Sequence, residues 1–344
     1  MQILNPARYA AMAGSLLFLL QPLGLTGMAR AQMVVPGTGM RADKVGDDFE
    51  DAKWAYIFQN PKSSHEQDEQ VRTPAGQSTN ARWSESAKRG HPDVIERVPT
   101  PPEGLPGSQG ALLIKTLHSG VPGSISGQNQ QDDLICNVRG GPYSVSSGPS
   151  VVVRVALPPF DQWEQRQGNS FGVRLSVEGY RPNDGKRDTY WPGMFIYYYP
   201  PATVRGKDGK PQQREAYAQM VVRAGPVGQD MWGPKMTEPG WWTLGMSCSG
   251  DGMIHYFAHA GVENLTHADL ITSQSPYGFQ AERLQSFFFD VVNRDDGENW
   301  STPWIIDDPA LYFAQRPIHS PNMGTSGGKD DKGGGMGLFG RRRR

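Results

Sequence analysis

The chain has 344 residues, 42 of them Gly and 28 Pro, with aromatic residues at 10% and a formal net charge of -1. So small a charge excludes a global field that would draw in nucleic acid or an anionic membrane, and it leaves electrostatic recognition local. Long periodic runs of Ala, Leu, Glu and Lys are missing, which excludes a helical bundle and favours a β protein.

Taken in order, residues 1–31 read as an export signal: Arg8 is the positive n-region, Ala10 to Leu20 the apolar run, and Ala29-Arg30-Ala31 a small-residue cleavage site. Gln21 and Pro22 cut the run short of the roughly 20 residues a spanning helix needs. No other segment is apolar enough to span, so the protein is expected to be exported, to the periplasm, cell surface or medium. Residues 32–46 are small, polar and Gly-rich, and read as a disordered linker.

The folded domain is expected over residues 47–316. Trp54, Tyr56 and Phe58 alternate with Ala55 and Ile57 as a first strand, and the polar stretch from Asn60 to Ser108 either wraps the sheet or is mobile. Ala111 to Leu117 restores a strand. In Val151 to Leu157 the residues Val151, Val153, Val155 and Leu157 share one face, leaving Arg154 on the other. Phe171, Val173, Leu175 and Val177 repeat the pattern, with Arg174 on the polar side. Met194 to Tyr199 is a further strand; if Ile196 faces the core, Tyr197 and Tyr199 face away from it. Trp241 to Cys248 and Met253 to His259 form a hairpin around Ser249-Gly-Asp-Gly252. Ser286 to Phe313 supplies a last pair of strands, Phe287 to Val292 and Trp304 to Phe313, around a polar turn. About nine or ten short strands without a βαβ pattern predict an all-β, two-sheet antiparallel jelly-roll sandwich. Residues 317–344 are Gly-rich and end in Arg341 to Arg344, and read as a disordered basic tail.

Cys136 and Cys248 are the two cysteines. In an oxidising compartment they could form one disulfide, and the alternative is two separate buried thiols. Gly168-Asn-Ser170-Phe-Gly172 fits GxSxG, but its serine enters a strand instead of standing between strand and helix. Gly335 to Gly340 fits GxGxxG without a βα context. HExxH and a P-loop are absent. Asp48 and Glu50 open the domain and Asp308 nearly closes it, so pairing of the terminal strands would gather hard oxygen ligands suited to a structural Ca²⁺ ion, Asp48, Glu50 and Asp308 being the expected ligands. His255 and His259 lie too far apart along a strand for an easy zinc site.

The DFE opening, the WWTLGMSCSGDGMIHYF hairpin and the WIIDDPALY strand resemble the concanavalin A-like lectin/glucanase superfamily and its laminin-G and MAM modules. That resemblance implies a jelly roll with a glycan-holding face and, in some members, a cation site near the terminal strands. The ExDxxE signature of its glycosidases is missing, which argues against retaining hydrolysis. Tyr256 to Gly261 is faintly similar to the YFKAG segment of jelly-roll alginate lyases, whose other motifs are not recognisable. Arg154, Arg174, Tyr197, Tyr199, His255 and His259 are the candidate ligand-binding residues, since Arg forks match carboxylates and aromatic rings cover sugar faces. The expected function is binding of an extracellular polysaccharide or another glycan without catalysis, an anionic glycan being one candidate. Alternatives are a lyase acting on a uronate polymer, with Tyr or His as base, and a structural envelope or matrix protein.

Overall fold

In the structure, a computed structural model, residues 33–121 and 124–317 are described. The export signal and almost all of the basic tail lie outside the described residues. Twenty-one strands occur among those described: β1 (Met40–Gly46), β2 (Tyr56–Ile57), β3 (Gln77–Ser78), β4 (Trp83–Glu85), β5 (Val94–Val98), β6 (Ala111–Lys115) and β7 (Gln130–Cys136) come first. β8 (Tyr143–Ser144), β9 (Pro149–Leu157), β10 (Gly168–Tyr180), β11 (Arg187–Tyr190), β12 (Gly193–Tyr199), β13 (Ala202–Arg205) and β14 (Pro211–Arg214) follow. β15 (Tyr217–Arg223), β16 (Asp230–Met236), β17 (Gly240–Cys248), β18 (Ile254–Ala260), β19 (Leu270–Gln274), β20 (Gln280–Asn293) and β21 (Trp304–Phe313) complete the set. α1 (His65–Asp68) is a single turn.

These strands build the expected two-sheet antiparallel sandwich. Sheet one runs β19-β18-β17-β9-β21-β6-β5, with β1 also on β21. Sheet two runs β16-β15-β12-β10-β20-β7-β4-β3-β2, with β11 on β10 and β8 on β20, and β13 and β14 form a separate hairpin. Alternation decides which side chains meet between the sheets. Val151, Val153, Val155 and Leu157 of β9 join Phe171, Val173, Leu175 and Val177 of β10 in one core. Phe171 lies 4.9 Å from Trp304 across the sandwich, so β20 and β21, neighbours in sequence, end in opposite sheets.

The stretch expected to be a disordered linker is structured in its described part. β1 pairs with β21, and Val35 packs with Val152, Phe257, Leu265 and Ala310 on the outer face of sheet one. The glycines that suggested flexibility are there because the backbones touch. A Cβ at Gly46, whose φ is +79°, would stand 1.8 Å from the Pro309 carbonyl oxygen. The expected first strand is also shorter than its alternation suggests, since only Tyr56–Ile57 pairs, with β3.

The segment from Asn60 to Ser108 wraps the sandwich and is nailed to it by a buried lysine. Lys62 Nζ donates to Asp132 Oδ2 at 2.7 Å, Asp93 Oδ1 at 2.9 Å and the His91 carbonyl at 3.2 Å. Asp132 has no exposed surface and Lys62 almost none, so each requires the other's charge. Cys136 and Cys248 lie in different sheets as free, buried thiols, so no disulfide joins them.

Candidate functional site on the outer face of sheet two

The outer face of sheet two can be read from strand register. Asp133 on β7 faces Asp290 on β20, which faces Gly172 on β10, then Phe195 on β12, Val221 on β15 and Trp232 on β16. A second row, beside the first, runs Ile135, Phe288, Arg174, Gly193, Arg223 and Asp230. At strand spacings of about 4.8 Å, each row spans roughly 24 Å. Polar and aromatic side chains line up across the strands because they hold the outward positions of the strand alternation.

One end of the face is aromatic. Tyr199 stacks on Tyr217 with centroids 4.6 Å apart, Tyr197 is 5.0 Å from Tyr199, and Trp232 is 6.4 Å from Tyr197. Trp232 is 61% exposed. Cations border the rings: Lys235 Nζ lies 4.0 Å from the Tyr217 centroid, and Arg214 lies 5.3 Å from that of Tyr199.

The other end is a pocket of about 180 Å³ lined in part by Lys88, Arg89, Asp133, Arg174, Trp191 and Phe288. Lys88 Nζ lies 4.7 Å from the Trp191 ring centroid, so the turn after β4 and the turn before β12 meet here. Arg174 Nη1 is 3.6 Å from Asp290 Oδ2, and Nη2 donates to the Trp191 carbonyl at 2.9 Å. Its Nε is buried without a partner. Arg89 forks onto Glu66, with Nη2 to Oε1 at 2.9 Å.

Asp290 is fully buried, and neither of its carboxyl oxygens receives a hydrogen bond from an N–H donor or a hydroxyl. Burial first, and then the charge of Asp133, hold its pKa well above the usual carboxylate range, against the pull of Arg174 and Arg89. That shift favours the neutral form of Asp290, while its cross-strand neighbour Asp133 accepts from Gln131 Nε2 at 2.8 Å. Gly172 makes room for this arrangement. A Cβ there would sit 2.9 Å from the Phe195 ring and 3.1 Å from Asp290 Oδ2.

The candidate residues named from sequence divide between the two sheets. Arg174, Tyr197 and Tyr199 belong to sheet two and share its outer face. Arg154, His255 and His259 belong to sheet one, so a single patch of all six is not formed. Arg154 is buried and committed, donating to Asn264 Oδ1 at 2.9 Å and pairing with Asp308 at 3.3 Å. His255 is held between Ser273 and Ser249 hydroxyls at 2.7 and 2.8 Å, and burial lowers its pKa. His259 Nδ1 bonds Asp269 at 2.8 Å. Arg154 and Arg174 have the same local pattern, and only sheet membership separates them. Arg174 shares its face with Tyr197, and Arg154 shares a row of sheet one with His259 through Thr243, so the arginines and bases named for a lyase divide into two separate sets.

The domain ends do meet, as the terminal acids suggested, with the Asp47 N–H donating to the Pro309 carbonyl at 3.0 Å. The acids themselves do not converge. Asp308 pairs with Arg41 at 2.6 Å, Glu50 accepts the Gln109 N–H at 3.0 Å, and Asp48 accepts the Glu50 N–H at 3.3 Å. Asp48, Glu50 and Asp308, the ligands expected for Ca²⁺, are thus each engaged by a different partner. Among the described residues no group of three or more His, Cys, Asp or Glu side chains is placed to hold a metal ion. No described helix is long and apolar enough to cross a membrane.

No family model and no curated protein matches the chain. Among solved structures it is similar to a carbohydrate esterase of the Shiga toxin-encoding bacteriophage phi24B, at 14% identity over 70% of this chain and 91% of that one, with a TM-score of 0.41. It is also similar to a PL7 alginate lyase of Zobellia galactanivorans, at 14% identity over 59% and 75% of the two chains and a TM-score of 0.32. An alginate lyase of Pseudomonas aeruginosa is similar at 11% identity over 66% and 86%, again with a TM-score of 0.32.

Proposed function

We propose that this protein is an exported, non-catalytic polysaccharide-binding β-sandwich, and that the chain of sugars lies across the outer face of sheet two. The observation that carries the reading is an open aromatic platform, Tyr197, Tyr199, Tyr217 and Trp232, on the same face of sheet two as the polar pocket, with Trp232 at the far end of the row that begins at Asp133. Sugar rings have apolar C–H faces that lie on aromatic rings and hydroxyls that pair with carboxyl and guanidinium groups. The roughly 24 Å row is a length that suits several linked sugars better than one small ligand.

Absence of catalysis is supported by the way the acids are used. Two-carboxyl glycoside hydrolysis needs separated groups on either side of the bond, about 5 Å apart or more. Asp133 and Asp290 are directly opposed cross-strand neighbours, and Asp290 is fully buried, so they do not flank an open site as such a pair of groups would.

Tryptophan emission and calorimetry with a panel of neutral and acidic polysaccharides test the reading. Saturable binding is expected, weakened about fivefold by Trp232→Ala for a stacking contribution near 1 kcal/mol. Products with new reducing ends or unsaturated sugars are not expected. Failure to bind any polymer, or binding untouched in a folded Trp232→Ala, Tyr199→Ala double variant, would reject it.

A further inference from the structure

We infer that the pocket beneath Lys88 and Trp191 is a subsite for one anionic substituent, a carboxylate or a sulfate ester, carried by a sugar of the bound polysaccharide. The inference rests on the polysaccharide reading and adds the ligand chemistry. Three cations, Lys88, Arg89 and Arg174, border the pocket. Against them stand Glu66, 4.0 Å from Lys88 Nζ and forked to Arg89, and the cross-strand pair Asp133 and Asp290, the latter with its pKa held well above the usual carboxylate range by burial and by Asp133. Arg174, the least exposed of the three cations, presents its charge where water screens it less than on an open surface, so an anion gains more from it there.

Arg174 directs that charge. Its Nη2 is fixed by the Trp191 carbonyl at 2.9 Å, its guanidinium lies between Phe195 and Phe288 at 5.6 and 5.5 Å, and its buried Nε has no acceptor. The planar fork suits an oxyanion with two or more oxygens. Trp191, 36% exposed, offers a ring wall for the sugar that bears the group. The volume of about 180 Å³ admits one sugar unit or its substituent and not a longer segment. Around Asp290 the charged groups are Asp133 from β7, Arg174 from β10, Arg223 from β15 and Arg89 from the turn after β4. The acidic sugar would therefore be read at one end of the face and the ring stacking at the other.

The test uses the full chain and matched polymers: polygalacturonate against its methyl ester, and a sulfated galactan against its desulfated form. The readout is the affinity ratio of charged to uncharged polymer. We expect a ratio of at least tenfold in dilute salt for one pair or both, shrinking as salt rises, and the responding pair identifies the substituent. Arg174→Lys, which keeps the charge and loses the fork, should cut the ratio several-fold, and Lys88→Gln should cut it about threefold, with melting curves confirming folded protein. Equal binding of charged and uncharged polymers overturns the inference, as does a ratio that survives Arg174→Lys and Lys88→Gln together. If uncharged polymers bind through Trp232 while no ratio appears, the subsite fails and the platform stands. If no polymer binds at all, both fail.

Discussion

Replacing Asp307 by Asn should make the protein more stable at neutral pH. Asp307 sits on β21 with 1% of its surface exposed, and neither carboxyl oxygen accepts a well-formed hydrogen bond. Burial, reinforced by the charges of Asp308 and Glu50 and only partly offset by the Ser108 hydroxyl, pushes its pKa from 3.8 to about 6. In the folded protein the group holds its proton up to that pH, whereas the unfolded chain has released it from about pH 4 upward. The stability this group contributes is complete below the unfolded value and is lost as pH rises through the folded value. At about 1.4 kcal/mol per pH unit, the interval amounts to about 3 kcal/mol by pH 7. Asn has a similar shape and no charge to desolvate. Urea unfolding of the wild type and Asp307→Asn from pH 3.5 to 8 should give curves that coincide at the acid end and separate between pH 4 and 6, with the variant more stable. A gap independent of pH, or a variant less stable at pH 7, would refute this account of Asp307.

Lys62→Met should destabilise by about 3–5 kcal/mol, because it leaves the fully buried Asp132, with the partly exposed Asp93 beside it, without its counter-charge; chemical denaturation reads the loss directly. Gly172→Ala should cost about 1–3 kcal/mol, since the new methyl collides with Phe195 and the Asp290 carboxyl, and its urea midpoint should fall without a change in slope. Both thiols should resist Ellman's reagent until the protein unfolds, as both are 0% exposed and burial pushes the Cys248 thiol up to about 12. Melting should be the same with and without reductant.

Much of the sandwich is legible in the sequence because its strands alternate cleanly. Val151 to Leu157, Phe171 to Val177 and the Trp241 to His259 hairpin appear as β9, β10, β17 and β18 with the expected faces inward. β1 was hidden because close backbone contact and flexibility both select glycine, and only its partner Pro309 distinguishes them. The site was half legible. Tyr197, Tyr199 and Arg174 are visible as outward residues of good strands, but nothing local assigns a strand to one sheet or the other, so Arg154 and the two histidines were grouped with them. Asp290 had a signal in Phe-Phe-Phe-Asp-Val-Val, a charge in the middle of an apolar strand. Asp133 had none, because its neighbour Asp132 points the other way, toward Lys62. Lys88, Arg89 and Trp191 reach the pocket from turns, whose positions no periodicity encodes.

The place of β21 has a consequence for how the protein is made. It lies between β9 and β6, joining what would otherwise be two separate pieces of sheet one, and its far end also receives β1. A ribosome delivers the chain in order, at about 5–20 residues per second. Until Trp304 to Phe313 has left the exit tunnel, β9 and β6 present open edges and the core lacks Trp304 and Phe313. Sheet one therefore closes only after synthesis of its last described strand, and during that interval the unfinished chain is the form most exposed to strand-edge aggregation and most suited to a holding chaperone.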